Sequence, residues 1–280
     1  MTYAVRSATV RFGDTLALDD VTLEVEPGSV VAVVGGDGAG KSTLLRALVG
    51  RLALAHGQVD APSPHEIGYL PATAGSWPAL TVTQNMDFVG GIYGLSGAAL
   101  TSRRDALLAR SGLLDAADRL ASQLSGGMRR KLGFSMAMLH DPRLLVLDEP
   151  STGVDPVSRV DLWQLVSEAA AAGAAVVMST TYLDEAERAA GLLALDGGPT
   201  LAVGTRAEVL ARLDGTVART ATPHRRAWAW RRGREFHEYW PGGEYGQGDA
   251  APTGTVVVPD LEDVVIALSL LQRHEDRRAS

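Results

Sequence analysis

The chain has 280 residues, 46% of them hydrophobic, a formal net charge of −7 and no cysteine. That length and apolar content suffice for a full core plus a small appended unit. The acidic balance argues against a broad electrostatic grip on DNA or RNA, and the missing thiols exclude disulfides and thiolate metal or nucleophile chemistry while fitting a reducing compartment. The N-terminal MTYAVRSATVRFG alternates apolar and polar residues instead of forming a signal-peptide core, and no run reaches the roughly 18 apolar residues of a membrane span. A soluble, cytoplasmic protein is the expectation.

From Tyr3 to Val25 the apolar residues alternate, which predicts short antiparallel strands with GDTLALDD as a turn. SVVAVVGGDGAGKSTLLRALVG then reads as a buried strand, a glycine-rich loop and a helix with Leu44, Leu45, Leu48 and Val49 at helical spacing. HGQVD and EIGYLP are further short strands, and TVTQNMDFVGGIYGL with ALTSRRDALLARSGLLDAADRL predicts a helical subdomain over about 72–140. In QLSGGMRRKLGFSMAMLHDP, Ser125 can cap a helix whose one face carries Met128, Leu132, Met136 and Leu139. LLVLDEP and AAVVMST are two more apolar strands, and strands alternating with helices imply a largely parallel sheet covered on both faces. VVMSTTYLDEAER carries the last of them out through Thr180 and Thr181 into an acidic amphipathic helix.

After about Gly215 the composition shifts. HRRAWAWRRGREFHEYWPGGEYGQGDAAPTG interleaves aromatics with arginines, as in a hairpin with one aromatic face, and PDLEDVVIALSLLQRH fits a proline-initiated amphipathic helix that packs back. The chain therefore divides into a unit of 1–215 and an extension of 216–280. Trp228, Trp230 and Arg231 admit sharper readings, as a stacking surface for nucleic acid or a strip at a lipid interface, but a hairpin packed on the main unit is the simpler expectation, with no nucleic-acid partner.

Two motifs carry chemistry. Residues 35–43, Gly35, Gly36, Asp37, Gly38, Ala39, Gly40, Lys41, Ser42 and Thr43, satisfy G-x-x-x-x-G-K-[ST] between a predicted strand and helix. Their amides would curl around phosphate oxygens, Lys41 would reach the β/γ-phosphates and Ser42 would ligate Mg²⁺. LLVLDEP places Asp148 and Glu149 at the end of a buried strand, where one carboxylate can hold the Mg²⁺ shell and the other can polarise water.

The order of these motifs, with LSGGM before LLVLDEPSTGVD, resembles the ATP-binding subunit of ABC transporters over residues 1 to about 213, and the C-terminal PDLEDVVIALSLL looks like the short extension of the drug-exporter (ABC-2) branch. The resemblance implies an α/β fold: a P-loop NTPase core with an N-terminal antiparallel β subdomain, an α-helical subdomain and a small C-terminal β-plus-helix extension. It implies ATP and Mg²⁺ as ligands, Glu149 as the catalytic carboxylate, and a head-to-tail dimer in which Ser125, Gly126 and Gly127 serve the partner's ATP. Asp155 falls at the acid of the loop that connects the two sites, and Phe12 at the aromatic that stacks on adenine, although Phe12 also suits ordinary core. The implied partners are a transmembrane permease, docked by segment 71–100 at the cytoplasmic face of the membrane, and a second ATP-binding subunit.

Two positions depart from the family pattern. Ala72 stands where a glutamine contacts Mg²⁺ and the attacking water, and Thr181 stands where a histidine contacts the γ-phosphate. Alanine offers no hydrogen bond, and threonine is shorter and cannot carry charge. Binding of Mg-ATP should survive while hydrolysis at this site slows, which favours division of labour with a competent second subunit. A homodimer with two equal sites, its gaps filled by water, and a regulatory or non-transport ATP-binding protein are the alternatives.

Overall fold

In the computed structural model, which describes residues 2–73, 75–242, 252 and 254–279, the alternating N-terminal segment forms an antiparallel hairpin of β1 (Tyr3–Phe12) and β2 (Thr15–Val25). The turn is confined to Gly13 and Asp14, and the TLALDD that was expected to turn belongs to β2. Register shifts absorb its acids: Ser7 and Asp20 take positive φ of 48° and 50°, and the ladder bulges so that Asp19 and Asp20 remain at the surface. β3 (Val30–Val34), buried along its length, feeds α1 (Lys41–Leu48), and β4 (His56–Asp60) returns to pair with β1.

β5 (Ile67–Leu70) precedes the helical part, α2 (Val82–Ile92), α3 (Gly97–Arg110) and α4 (Gly126–Met138). β6 (Leu144–Asp148), α5 (Pro156–Ala171), β7 (Ala175–Thr180), a short α6 (Leu183–Ala186), β8 (Gly191–Leu195), β9 (Thr200–Gly204) and α7 (Arg206–Leu210) complete the main unit. The six-stranded central sheet runs β5-β6-β7-β3-β8-β9, parallel except for the last pair. Its register sets Asp148 beside Ser179 and Val34 beside Thr180, so the carboxyl ends of three strands converge where β3 opens into the glycine loop.

Alternation along the strands divides the core. Val31, Val33, Val146 and Val177 pack on one face with Leu44, Leu45 and Leu48 of α1 and with the antiparallel sheet. On the other face Leu145, Leu147, Val176 and Met178 meet Leu132 and Met136 of α4 and Leu162 and Val166 of α5.

The C-terminal residues form β10 (Gly215–Thr220), β11 (Ala229–Arg232), β12 (Glu235–Pro241), β13 (Thr255–Val257) and α8 (Leu261–Ala279). The expected hairpin, β11 turning at Gly233 into β12, is part of a four-stranded sheet in the order β11-β12-β10-β13. It does not present a single aromatic face: Tyr239 and Trp240 are neighbours in β12, point to opposite sides and are both buried. Tyr239 packs edge-on against Trp228, while Arg225 lies 5.4 Å over the Trp240 ring. With Trp228 and Trp240 turned inward, they make no exposed stacking surface, and Arg231 alone of the three residues considered for one is exposed. The glycine-rich residues 243–250 that follow lie outside the described residues.

α8 starts two residues later than a proline-initiated helix would. Asp260 caps it, accepting from the Asp263 amide at 3.0 Å, and Pro259 stays outside. Its Leu261 and Val264 share a core with Ala32 and Val34 of β3 and Leu192 and Ala194 of β8, so the C-terminal helix covers part of the central sheet. Leu261→Ala is therefore expected to destabilise the whole chain by about 2–5 kcal/mol. Urea denaturation should show one transition shared by tryptophan fluorescence and far-UV circular dichroism, not an early C-terminal step.

Candidate functional site

The loop between β3 and α1 needs glycine at two places. Gly35 sits at φ 153°, where a Cβ would come 2.4 Å from the Leu195 carbonyl oxygen, and Gly40 sits at φ 103°, where one would come 2.6 Å from the Ala17 carbonyl oxygen. The loop folds back over Lys41, which is only 5% exposed. Its Nζ donates to the carbonyls of Gly35 at 2.9 Å and Gly36 at 3.0 Å, and stands 3.4 Å from Glu149 Oε1. Ala17, residues 37–43 and Glu149 line a depression of about 250 Å³ at this point.

The end of β6 is wired into the same place. Asp148 is fully buried; its Oδ1 accepts from Ser42 Oγ at 2.9 Å and from Ser179 Oγ at 2.8 Å, and Ser179 Oγ accepts from the Glu149 amide at 2.9 Å. Glu149 holds a left-handed φ of 49°, and Thr152 Oγ1 donates to its Oε2 at 3.1 Å. A residue other than glycine rarely occupies that conformation, and the surrounding bonds hold it there. Asp148 Oδ2 is buried without a hydrogen-bond partner among the described residues. An orphaned carboxylate oxygen beside a serine hydroxyl fits a hard dication such as Mg²⁺, which takes few protein oxygens and completes its shell with water and phosphate. Among the described residues no group of three or more His, Asp or Glu is placed to hold a metal ion by itself.

The two threonines at the end of β7 face differently. Thr180 is buried, donates to Glu185 Oε2 at 2.8 Å and accepts from the Tyr182 amide at 3.0 Å, whereas Thr181 is exposed and does not line the depression. Ala72 is likewise exposed and outside it. Ser125, Gly126 and Gly127 form the start of α4, where Ser125 Oγ accepts from the Met128 amide at 3.2 Å as an N-cap. They do not join the Lys41 cluster; Gly127 packs so closely that a Cβ would come 2.8 Å from Ser158 Oγ. Asp155 caps α5 through the amides of Val157 and Ser158 at 3.1 and 3.0 Å, and the Ser158 bonds hold its carboxyl below the usual range. Phe12 stands at the β1–β2 turn, 52% exposed, which is not ordinary core, and it too lies outside the depression.

Three residues that motif reading passed over belong to the site. Ser179 fixes both acids; its signal is its place opposite Asp148 in the sheet, which becomes visible only when β6 and β7 are paired. Glu185, buried in α6, accepts from Ser151 Oγ at 2.7 Å as well as from Thr180, tying the turn after Glu149 to the end of β7. Arg130 of α4 donates to the Pro71 carbonyl at 3.3 Å, and burial pulls its pKa down against the opposing charges of Glu149 and Asp148. That guanidinium lies next to Ala72 in sequence-distant space, and nothing in the local pattern marks it.

The chain is similar to known proteins. A family model described as "ABC transporter" matches residues 18–152. The chain is 35% identical over 221 residues to "Probable multidrug ABC transporter ATP-binding protein YbhF" of Escherichia coli (strain K12), an alignment that takes in 75% of this chain and 38% of that protein, so the chain spans well under half of that relative's length. It is 34% identical over 223 residues to "Nod factor export ATP-binding protein I" of Cupriavidus metallidurans, covering 75% of this chain and 74% of the relative. Among solved structures, "Structure of ATP binding subunit of ABC transporter" superposes with a TM-score of 0.70 at 28% identity, over 76% of this chain and 93% of the other.

Ser179→Ala strips Asp148 Oδ1 of one donor and leaves the Glu149 amide unpaired. The expected cost is about 1–3 kcal/mol of stability in urea. Nucleotide-dependent Mg²⁺ affinity should fall in the same variant, measured by calorimetric titration of Mg²⁺ with nucleotide present.

Proposed function

This chain belongs to the ATP-binding subunits of ABC transporters, in their drug-exporter branch, and from that membership we propose that it holds Mg-ATP tightly, turns it over slowly at its own site and completes the site of a second ATP-binding subunit. The observation that carries this reading is the intact set of Lys41, Ser42, Asp148 and Glu149 beside the glycine loop, with Ala72 and Thr181 both exposed and outside it.

Binding follows from donors and acceptors. The Lys41 ammonium has three N–H groups, and two are committed to the Gly35 and Gly36 carbonyls. A phosphate oxygen arriving at Lys41 competes for the third with Glu149, whose side chain is the more exposed partner of that pair. Phosphate binding thus frees Glu149 from the lysine and leaves it able to take a proton from water. Water attacks the γ-phosphorus, the bond from that phosphorus to the β–γ bridging oxygen breaks, and the water proton passes to Glu149. Ser42 and Asp148 would hold Mg²⁺, which would supply neutralising charge to the transferring phosphates. Lys41, Ser42 and the loop amides bind ground and transition states alike, whereas groups that orient water or meet the transferring phosphoryl act on the rate; Ala72 and Thr181 supply no equivalent of a glutamine and a histidine there.

The exposed N-terminus of α4, with Ser125, Gly126 and their amides, is the part that serves the partner subunit's ATP in this reading. The permease docks on the side of the helical part next to Ala72, where Tyr69, Pro71, Trp77, Ile92 and Tyr93 line a groove of about 350 Å³ with Trp77 stacked edge-on against Phe88 at 4.6 Å. No helix among the described residues is long and apolar enough to cross a membrane, so the chain's place at the cytoplasmic face of the membrane is assigned through the permease.

The test is steady-state ATPase activity of the purified chain alone and mixed with a second subunit that has the glutamine and histidine in place. Activity should appear chiefly in the mixture and vanish when the partner subunit's catalytic glutamate is replaced. Fast turnover by the chain alone would point instead to a homodimer with two equal sites. Introducing Ala72→Gln with Thr181→His is expected to raise the chain's own kcat about tenfold or more while KM for ATP changes little. In a separate binding measurement, Lys41→Ala should weaken Mg-ATP by more than about tenfold, since it removes a charge-assisted contact.

A further inference from the structure

The C-terminal helix grips the residue that follows the strand end behind the phosphate loop. Leu195 ends β8, and its carbonyl oxygen lies so close to Gly35 that the two backbones are in direct contact. The next residue, Asp196, is held by α8: Ser269 Oγ donates to its Oδ2, and Arg273 donates to the same oxygen through Nη2 at 3.1 Å and Nε at 3.3 Å. Between this grip and the loop lies a cleft of about 270 Å³, bounded by Gly35, Gly36 and Asp196 on one side and by Ile266 and Leu270 of α8 on the other. α8 is thus not packed solidly against the loop at that point. The polar grip on Asp196 carries the contact.

We infer that α8 is a brace for the phosphate loop, and that Asp196, Ser269 and Arg273 are positioning residues through which the seating of the C-terminal helix sets how tightly this chain holds the phosphates of ATP. The carbonyls of Gly35 and Gly36 are the two acceptors that aim Lys41, so a displacement of Leu195–Asp196 passes to the ammonium through one backbone contact. The same helix packs Leu261 and Val264 on Ala32 and Val34 of β3, the strand that runs into the loop, which keeps both ends of the lever on one rigid element. An exposed arginine pair would by itself add little to stability, and Arg273 is mostly exposed. Asp196 is the shielded partner, with 23% of its side chain accessible, and its Ser269 bond is part-buried, so the grip belongs to geometry more than to folding energy. Coupling between two sites is reciprocal, so phosphate binding tightens α8 by the same factor that α8 tightens phosphate binding.

The inference rests on the ATP-binding reading above, and its test separates the two. Calorimetric Kd values for Mg-ATP are compared for the full chain, Ser269→Ala/Arg273→Ala, Asp196→Asn and Arg273→Lys. The double variant and Asp196→Asn are expected to bind about three- to tenfold more weakly, with thermal unfolding before nucleotide addition shifted by little, and Arg273→Lys should recover most of the affinity. Amide exchange supplies the reciprocal readout: Mg-ATP should slow exchange across residues 264–273 more than across β11 and β12 in the wild type, and this excess should disappear in the double variant. A Kd within twofold of wild type in both loss variants, or protection of α8 no greater than that of the hairpin, overturns the brace while leaving ATP binding intact. A wild-type chain that does not bind Mg-ATP removes both readings.

Discussion

A buried ammonium organises this molecule. An unpaired cation at the position of Lys41 would carry a heavy desolvation cost, and the fold meets it with two backbone carbonyls and one carboxylate. Those partners come from three different places: the start of the glycine loop, its second residue, and the end of β6. To bring them together the loop must double back over its own helix, which is why Gly35 and Gly40 occupy positions where a Cβ would strike the Leu195 and Ala17 carbonyls. The walls of the loop are therefore other elements of the fold, β2 at one end and β8 at the other. The site exists only when the antiparallel hairpin, the parallel sheet and α1 are all assembled.

The acids obey the same economy of backbone. Asp148 and Glu149 are consecutive, yet they do different work because β6 ends between them. Asp148 is the last residue of the strand, points inward and is clamped by Ser42 and Ser179; Glu149 turns out of the strand at positive φ and reaches Lys41. The strain at Glu149 is held by one hydrogen bond from its amide and one to its side chain, both from residues that have no charge to shift. Ser151, Glu185 and Thr180 form a second layer behind it, so the turn after β6 cannot move without disturbing the end of β7.

Much of this was legible in the sequence where the physics is local. A β-branched run followed by glycines, a lysine and a serine announces a strand, a phosphate loop and a helix because each residue acts on its own φ and ψ or on the next turn. Asp148 and Glu149 were visible for a similar reason, as acids that stop an apolar run. Ser179 was not, since its bond to Asp148 spans 31 residues and depends on which strands pair. Arg130 was hidden for the same reason across 59 residues. Amphipathic spacing showed that α8 packs back but not onto which strand, and an alternating hairpin was expected to keep its aromatics on one side when β12 in fact buries both. Periodicity tells that a face is covered; only the assembled fold tells by what. The acids of β2 misled in the opposite direction, because two adjacent aspartates resemble a turn unless a bulge is allowed to carry them.

The cradle residues and the two positions that depart from the family pattern differ in how the core holds them. Lys41, Ser42 and Asp148 are locked by the core, so they cannot be altered without cost to the loop itself. Ala72, just after β5, and Thr181, just after β7, are both exposed. In the proposed reading these two positions act on the reaction rate and not on the cradle, since rate depends on contacts made more strongly in the transition state than before it. Arg130 adds a charge on the same side of the site, tied to the Pro71 carbonyl and facing the two acids. Its guanidinium stays ionised at any accessible pH, so it can steady the electrostatics around Glu149 but cannot exchange a proton with water.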